Sequence, residues 1–121
     1  MKDIVHKLGD HGIHTLLDMH QDVLSTKFCL YDGAPLWVIN KSSSPHPHPW
    51  PMTGPCNSRS WGANELSEAA SYAFGDIYAN HNGMLDDLGN FWAATAAAFK
   101  DDPNIIGYEI MCVCLLAGNG T

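Results

Sequence analysis

A short apolar run that ends in regularly spaced polar residues constrains the fold of this chain more than any other feature. Residues 13–17 form a short apolar run with no clean alternation, a pattern typical of a parallel strand buried on both faces. Asp18, His20 and Asp22 follow at its carboxyl end and share one parity. If the chain stays extended, these three side chains point the same way.

The rest of the periodicity predicts an α/β chain. A short helix is predicted at Asp3–Leu8, and a second buried strand at Ile105–Met111. Between the strands, one helix is expected from Asn64 to Asn80, and a second from about Leu85 to Phe99, stopped before Pro103. The order helix, strand, loop, helices, strand is a βαβ pattern.

Two apolar stripes define the expected core. In the first of these helices the stripe includes Leu66, Phe74 and Ile77, and in the second it carries aromatic side chains. Phe91, Trp92 and Phe99 are therefore predicted to be core residues.

A long segment without periodicity, residues 23–63, contains a proline-rich loop over residues 39–63. Each proline fixes its own φ and favours extended backbone before it. A structureless loop of this length is unusual inside a compact domain and is often functional. His46 and His48 are expected to be exposed loop residues, whereas Trp50 and Trp61 are equally suited to packing under the loop or to binding a ligand.

The charge pattern excludes some partners. The chain has 121 residues, six basic and thirteen acidic, for a formal net charge of -7. Its basic residues form no cluster of the kind that holds a phosphate backbone, so nucleic acid is not an expected partner. Its apolar runs are too short to span a bilayer. The amino-terminal sequence has no signal-peptide pattern, which indicates either a cytosolic protein or a missing true amino terminus.

Three stretches resemble endoglycoceramidases and related members of glycoside hydrolase family 5. They are GIHTLLDMHQDVLSTKFCLYDGAPLWV at 12–38, ANHNGMLDDLGNFWAATAAAFKDDPNIIGYEIM at 79–111, and Ala117-Gly118-Asn119. The resemblance implies a fragment of a (β/α)8 barrel, with residues 1–121 as part of the catalytic domain and the two predicted strands as the third and fourth. Active sites of such barrels lie at the carboxyl ends of the strands.

The resemblance also implies roles for single residues. His20 and Asp22 would bind the sugar, with Asp18 supporting the strand end. Trp61 is the expected aromatic of the sugar site, although Trp50 also lies in the loop. The implied substrate of the parent protein is a glycosphingolipid or another glycoside. A glycosphingolipid would be cleaved between glycan and ceramide, and no cofactor is expected. The whole parent protein is expected to be secreted or lumenal.

The catalytic carboxylates of that family are missing from this sequence. A retaining glycosidase needs two, about 5–5.5 Å apart. The resemblance places the acid/base in an Asn-Glu-Pro string after the fourth strand, where this chain has Cys112, Val113 and Cys114. The nucleophile would follow a seventh strand, which the sequence lacks. Glu109 lies about 13 Å deeper along the strand than Val113 and is expected to serve as a core hydrogen-bonding group.

The divergent segment 112–116 leaves two interpretations open. The chain is either a segment of a glycolipid glycosidase, inactive as written, or a non-catalytic remnant or product of a truncated or wrongly assembled gene. Family-like sequence resumes after the segment, which favours an error or a decayed gene over a real substitution. Cys112 would support the strand end.

Two further chemistries are compatible with the sequence, a metal site and a disulfide. A metal site of Asp18, His20 and Asp22, which His46 and His48 could join, is less favoured than sugar binding, because a fourth ligand has to come from elsewhere. No metal is therefore expected. Cys29 and Cys56 could form a disulfide in an oxidising compartment or remain free thiols.

Overall fold

The computed structural model describes residues 1–29 and 31–111. Its helices and strands, in chain order, are α1 (Lys2–Gly9), β1 (Thr15–Asp18), α2 (Leu36–Ile39), α3 (Trp61–Glu65), α4 (Glu68–Tyr78), α5 (Met84–Phe99) and β2 (Ile105–Glu109). Single 3-10 turns lie at Thr26–Phe28, Cys56–Ser58 and His81–Gly83. No helix in the described ranges is both long and apolar enough to cross a bilayer.

The two strands form a parallel pair, as the βαβ pattern predicts. Thr15 pairs with Ile105 and Asp18 with Glu109, so both strands end at the same level. β1 begins at Thr15 rather than at Ile13 and ends at Asp18 rather than at Leu17, and β2 stops two residues before the predicted end at Met111. The polar end of β1 therefore lies directly beside the carboxyl end of β2.

The helix predicted from Asn64 to Asn80 is two helices. Ser67 caps α4 by accepting a hydrogen bond from the Ala70 N–H group, which breaks the helical run. Leu66 lies at this break and is 74% exposed, so its predicted place on the buried stripe is wrong. A serine side chain that caps a new helix outweighs the apolar periodicity around it.

The main core lies between the loop segment and helices α2, α4 and α5. Its fully buried side chains include Phe28, Ile39, Phe74 and Met84. A smaller cluster of Val5, Leu17 and Phe99 joins α1, β1 and α5.

Of the three aromatic residues predicted to be core in α5, only Phe99 is fully buried. Trp92 is half-buried and donates its indole N–H to the Ile110 carbonyl, 3.1 Å away. Phe91 is 48% exposed, which contradicts the prediction. The buried side of α5 carries Met84, Leu88 and Phe99, and Phe91 stands at the edge of that stripe, on the rim of an apolar pocket.

The proline-rich segment is held in place by contacts with the rest of the chain, although it contains little regular secondary structure. Asp76 of α4 anchors its start, accepting hydrogen bonds from the Ser42 hydroxyl at 2.8 Å and the Ser43 N–H group at 2.7 Å. The peptide bonds before Pro49 and Pro51 are cis. These contacts join residues far apart in sequence, so local periodicity does not reveal them.

Candidate functional site

The carboxyl end of β1 presents a histidine held between two carboxylates. The His20 ring lies with Nδ1 3.2 Å from Asp18 Oδ2 and Nε2 3.3 Å from Asp22 Oδ1. The ring is more than half exposed, while each carboxylate is about one third exposed. The structure thus brings together three residues that the sequence analysis singled out, and it orients an imidazole and carboxylate oxygens towards solvent.

A third acidic residue joins this group from the loop. One ligand atom each from His20, Asp22 and Asp32 lies within 4.8 Å of the other two. The sequence suggested Asp18, rather than Asp32, as the third residue of a metal site with His20 and Asp22, and the structure places Asp32 there instead. Exposed acidic groups commonly cluster without a metal ion, so the spacing alone does not define a cation site. Oxygens this close also suit the hydroxyl groups of a sugar.

Helix α3 brings a buried acid close to Asp22 and carries an aromatic side chain one turn earlier. Glu65 is buried in α3, and burial, followed by the negative charge of Asp22, raises the pKa of its carboxyl group. Trp61 precedes it by four residues, so the two lie on one face of the helix. Trp61 is 57% exposed at the first position of α3. Its indole is therefore available on the side of α3 that carries Glu65.

Trp50, the other aromatic of the loop, is engaged elsewhere. Its ring stacks on His46 at 4.3 Å between centroids, and His46 pairs with Glu68 at 2.9 Å. Trp50 packs on its own loop, which was one of the two alternatives for it.

The end of β2 lies at the same level as the His20 group. The Glu109 carbonyl accepts a hydrogen bond from the Met19 N–H group at 3.1 Å, and Glu109 itself is half-buried opposite Asp18. The described chain stops at Met111, two residues beyond β2. Cys112 and Val113, assigned to strand-end support and to the acid/base position, lie outside the described residues.

The structure contains the Cys29–Cys56 disulfide, with Cα atoms 5.4 Å apart. His48 lies half-buried beside it, with Nε2 3.3 Å from Cys29 Sγ. The prediction that His48 is simply an exposed loop residue is therefore wrong. Burial, followed by the positive charge of Arg59, lowers the pKa of His48, while a hydrogen bond with Asn64 acts in the opposite direction.

The sequence did not predict that Asp32 and Glu65 lie near His20 and Asp22, or that His48 lies beside the Cys29–Cys56 disulfide. Asp32 and His48 reach their positions through the loop segment, which has no periodic signal. The signal available for Glu65 is its spacing of four from Trp61, which places both on one helical face.

A parallel strand pair with a polar cluster at its carboxyl end is the arrangement found in the active sites of α/β-barrel enzymes. The relatives of the chain agree. It is 40% identical over 124 aligned residues to the endoglycoceramidase of Cyanea nozakii and 38% identical to that of Hydra vulgaris. Both alignments cover 92% of this chain and 24% of the relative. Endoglycoceramidase I of Rhodococcus hoagii (strain 103S) is 30% identical over 109 residues. No family model matches the chain.

Solved structures give the same answer for the fold. A lactosyl-enzyme intermediate of endo-glycoceramidase II from Rhodococcus sp. superposes with a TM-score of 0.70 at 22% identity, covering 94% of this chain and 26% of that one. An endogalactoceramidase superposes with a TM-score of 0.68 at 26% identity, covering 91% and 25%. These enzymes are TIM barrels. The expected resemblance to endoglycoceramidases is confirmed, and the chain spans about a quarter of the length of the relatives it matches.

Proposed function

We propose that this chain is the third-to-fourth-strand segment of a retaining glycoside hydrolase that cleaves the glycan–ceramide bond of glycosphingolipids. Within it, His20, Asp22 and Trp61 bind the sugar, and Asp18 holds the His20 ring from the other side. The observation that carries the proposal is the clamped His20 at the carboxyl end of β1, level with the end of β2.

The side chains of His20, Asp22 and Trp61 suit a sugar better than a purely apolar ligand. Carboxylate oxygens accept hydrogen bonds from hydroxyl groups, and an exposed imidazole can donate or accept them. An exposed indole offers a flat face against which the apolar face of a sugar ring can lie. The proposed substrate is the glycosphingolipid of the parent enzyme, and no cofactor is needed for its hydrolysis.

Val113, which has no proton to give, stands at the expected acid/base position, and neither of the two described strands corresponds to the seventh strand that would carry the nucleophile. The proposed role of this segment is therefore binding, with catalysis supplied in a parent protein that carries a Glu at the position of Val113. That parent protein is proposed to be secreted or lumenal.

Sugar binding is testable on the chain itself at concentrations low enough for it to remain monomeric in light scattering. We expect lactose to shift the ¹H–¹⁵N signals around His20 and Asp22 with a millimolar dissociation constant, since few contacts are available. His20→Ala should weaken this binding at least about fivefold. His11→Ala, which alters an exposed histidine outside the cluster, is the matched control and should leave binding unchanged. Equal effects of the two substitutions, or no shifts with lactose, would contradict the proposal.

A further inference from the structure

The two sulfur atoms of the Cys29–Cys56 disulfide have unlike surroundings. Cys56 is exposed on a 3-10 turn, whereas Cys29 is half-buried. Cys29 Sγ lies 3.3 Å from His48 Nε2 and 3.7 Å from Arg59 Nη2. One sulfur is therefore accessible to an attacking thiolate, and the other faces two nitrogen groups able to donate hydrogen bonds.

The guanidinium of Arg59 is fixed in place by other partners. Its Nε donates to Asn64 Oδ1 at 2.8 Å, and its Nη1 donates to the carbonyls of Thr53, at 3.0 Å, and of Gly54. Asn64 is itself buried. The remaining nitrogen, Nη2, is thereby held beside Cys29 with its positive charge close to the sulfur.

A ring nitrogen of His48 faces the same sulfur. His48 Nδ1 lies 3.1 Å from Ser67 Oγ, and that oxygen already accepts the Ala70 N–H group. Nε2 faces Cys29, and in the tautomer that carries the ring proton on Nε2 it can donate a hydrogen bond to this sulfur while Nδ1 accepts the Ser67 hydroxyl proton. Burial and the positive charge of Arg59 lower the pKa of His48, which favours the neutral ring.

We propose that this disulfide is a directional thiol-exchange site, with Cys56 as the attacked sulfur and Cys29 as the leaving thiolate. The thiolate of a low-molecular-weight thiol attacks Cys56 Sγ and forms a mixed disulfide there. The Cys29–Cys56 bond breaks, and its electron pair leaves on Cys29, where Arg59 and His48 stabilise the negative charge. A second thiol molecule then attacks the mixed disulfide and releases Cys56 as a thiolate. One disulfide and two thiols thus become two protein thiols and one small disulfide.

The direction follows from general features of exchange. Rates depend on which sulfur is accessible and on how well the leaving thiolate is stabilised, and cationic neighbours stabilise thiolates. At this site, the exposure of Cys56 and the nitrogen groups beside Cys29 both favour attack on Cys56 with Cys29 as the leaving thiolate. The proposal stands independently of the proposed function, because it uses none of the sugar-site residues.

Mass mapping of the mixed disulfide tests the direction. The full chain carrying Cys112→Ser and Cys114→Ser is treated briefly with glutathione, quenched in acid and alkylated. We expect glutathione on Cys56 to exceed that on Cys29 by about tenfold, with Cys29 alkylated. Equal labelling, or labelling mainly on Cys29, would overturn the proposal.

Variants separate a chemical role of Arg59 and His48 from a structural one. Arg59→Gln and His48→Leu should each slow exchange at Cys56 roughly fivefold, because the leaving thiolate loses its stabilising neighbour. Lys100→Gln removes an exposed positive charge elsewhere and should leave the rate unchanged. If Arg59 and His48 only hold the loop in place, the substitutions should instead speed exchange, because a loosened loop exposes the disulfide. Faster or unchanged exchange rates in both variants would rule the proposal out.

Discussion

Glu65 shows how a single buried side chain links the stability of the chain to its candidate site. Glu65 is the last residue of α3 and is buried, and burial together with the charge of Asp22 raises the pKa of its carboxyl group above the ordinary value of 4.5. An acid with a raised pKa binds more protons in the folded state than in the unfolded one. The free energy of unfolding therefore falls as pH rises from the ordinary pKa through the raised one.

Glu65→Gln should remove this loss, because the amide stays neutral at every pH. We expect the variant to be more stable than the parent chain near neutral pH, with little difference at about pH 4. Urea unfolding between about pH 4 and about pH 8 measures this. Asp101→Asn, on an exposed turn, is the matched control and should follow the parent chain. A Glu65→Gln variant less stable at neutral pH would mean that the ionised carboxylate has a favourable partner.

At the scale of elements, Asp76 joins α4 to the beginning of the proline-rich loop. Its carboxylate accepts hydrogen bonds from Ser42 and from both the N–H group and the hydroxyl of Ser43. Asp76→Ala leaves these donors without their partner and should lower the free energy of unfolding by about 2–3 kcal/mol. Chemical denaturation, with Asp101→Ala as the exposed control, measures the difference. A loss as small as that of the control would show that this anchor contributes nothing.

The elements also show what sequence alone can predict. The two parallel strands, α5 and the end of α4 follow from apolar periods of the chain itself, and they were predicted to within a few residues. The break at Ser67, the exposure of Phe91 and Leu66, and the burial of His48 depend on which segments meet in space. The Asp18–His20–Asp22 group was predictable because all three residues belong to one strand end. Asp32 and Glu65 approach this group from other segments of the chain, and periodicity within a segment does not show which segments meet in space.

At the scale of the whole molecule, the sheet has an apolar outer surface that the described residues leave uncovered. Leu16 is 50% exposed in β1 and Ile106 is 68% exposed in β2. Uncovered parallel strands present apolar side chains and unpaired backbone groups that pair with other chains. We expect the isolated chain to self-associate, with apparent mass rising with concentration in light scattering. A monomeric species with one cooperative thermal transition would contradict this expectation.

We propose that this segment supplies the sugar-binding strand end of an endoglycoceramidase barrel, whereas the catalytic carboxylates belong to the whole parent protein. The isolated chain should therefore release no glycan from a glycosphingolipid, since general acid and nucleophile each contribute orders of magnitude to the rate. The same binding residues should become productive when a relative provides the rest of the barrel.

The most direct test is a chimera in which residues 1–111 replace the aligned segment of the Cyanea nozakii endoglycoceramidase. Mass spectrometry would measure glycan and ceramide released from a glycosphingolipid, with circular dichroism confirming the fold. We predict activity in the chimera, with a loss of kcat/KM of at least about a hundredfold in its His20→Ala variant and no change in His11→Ala. A folded chimera that releases no glycan, or one that is indifferent to His20→Ala, would contradict the account.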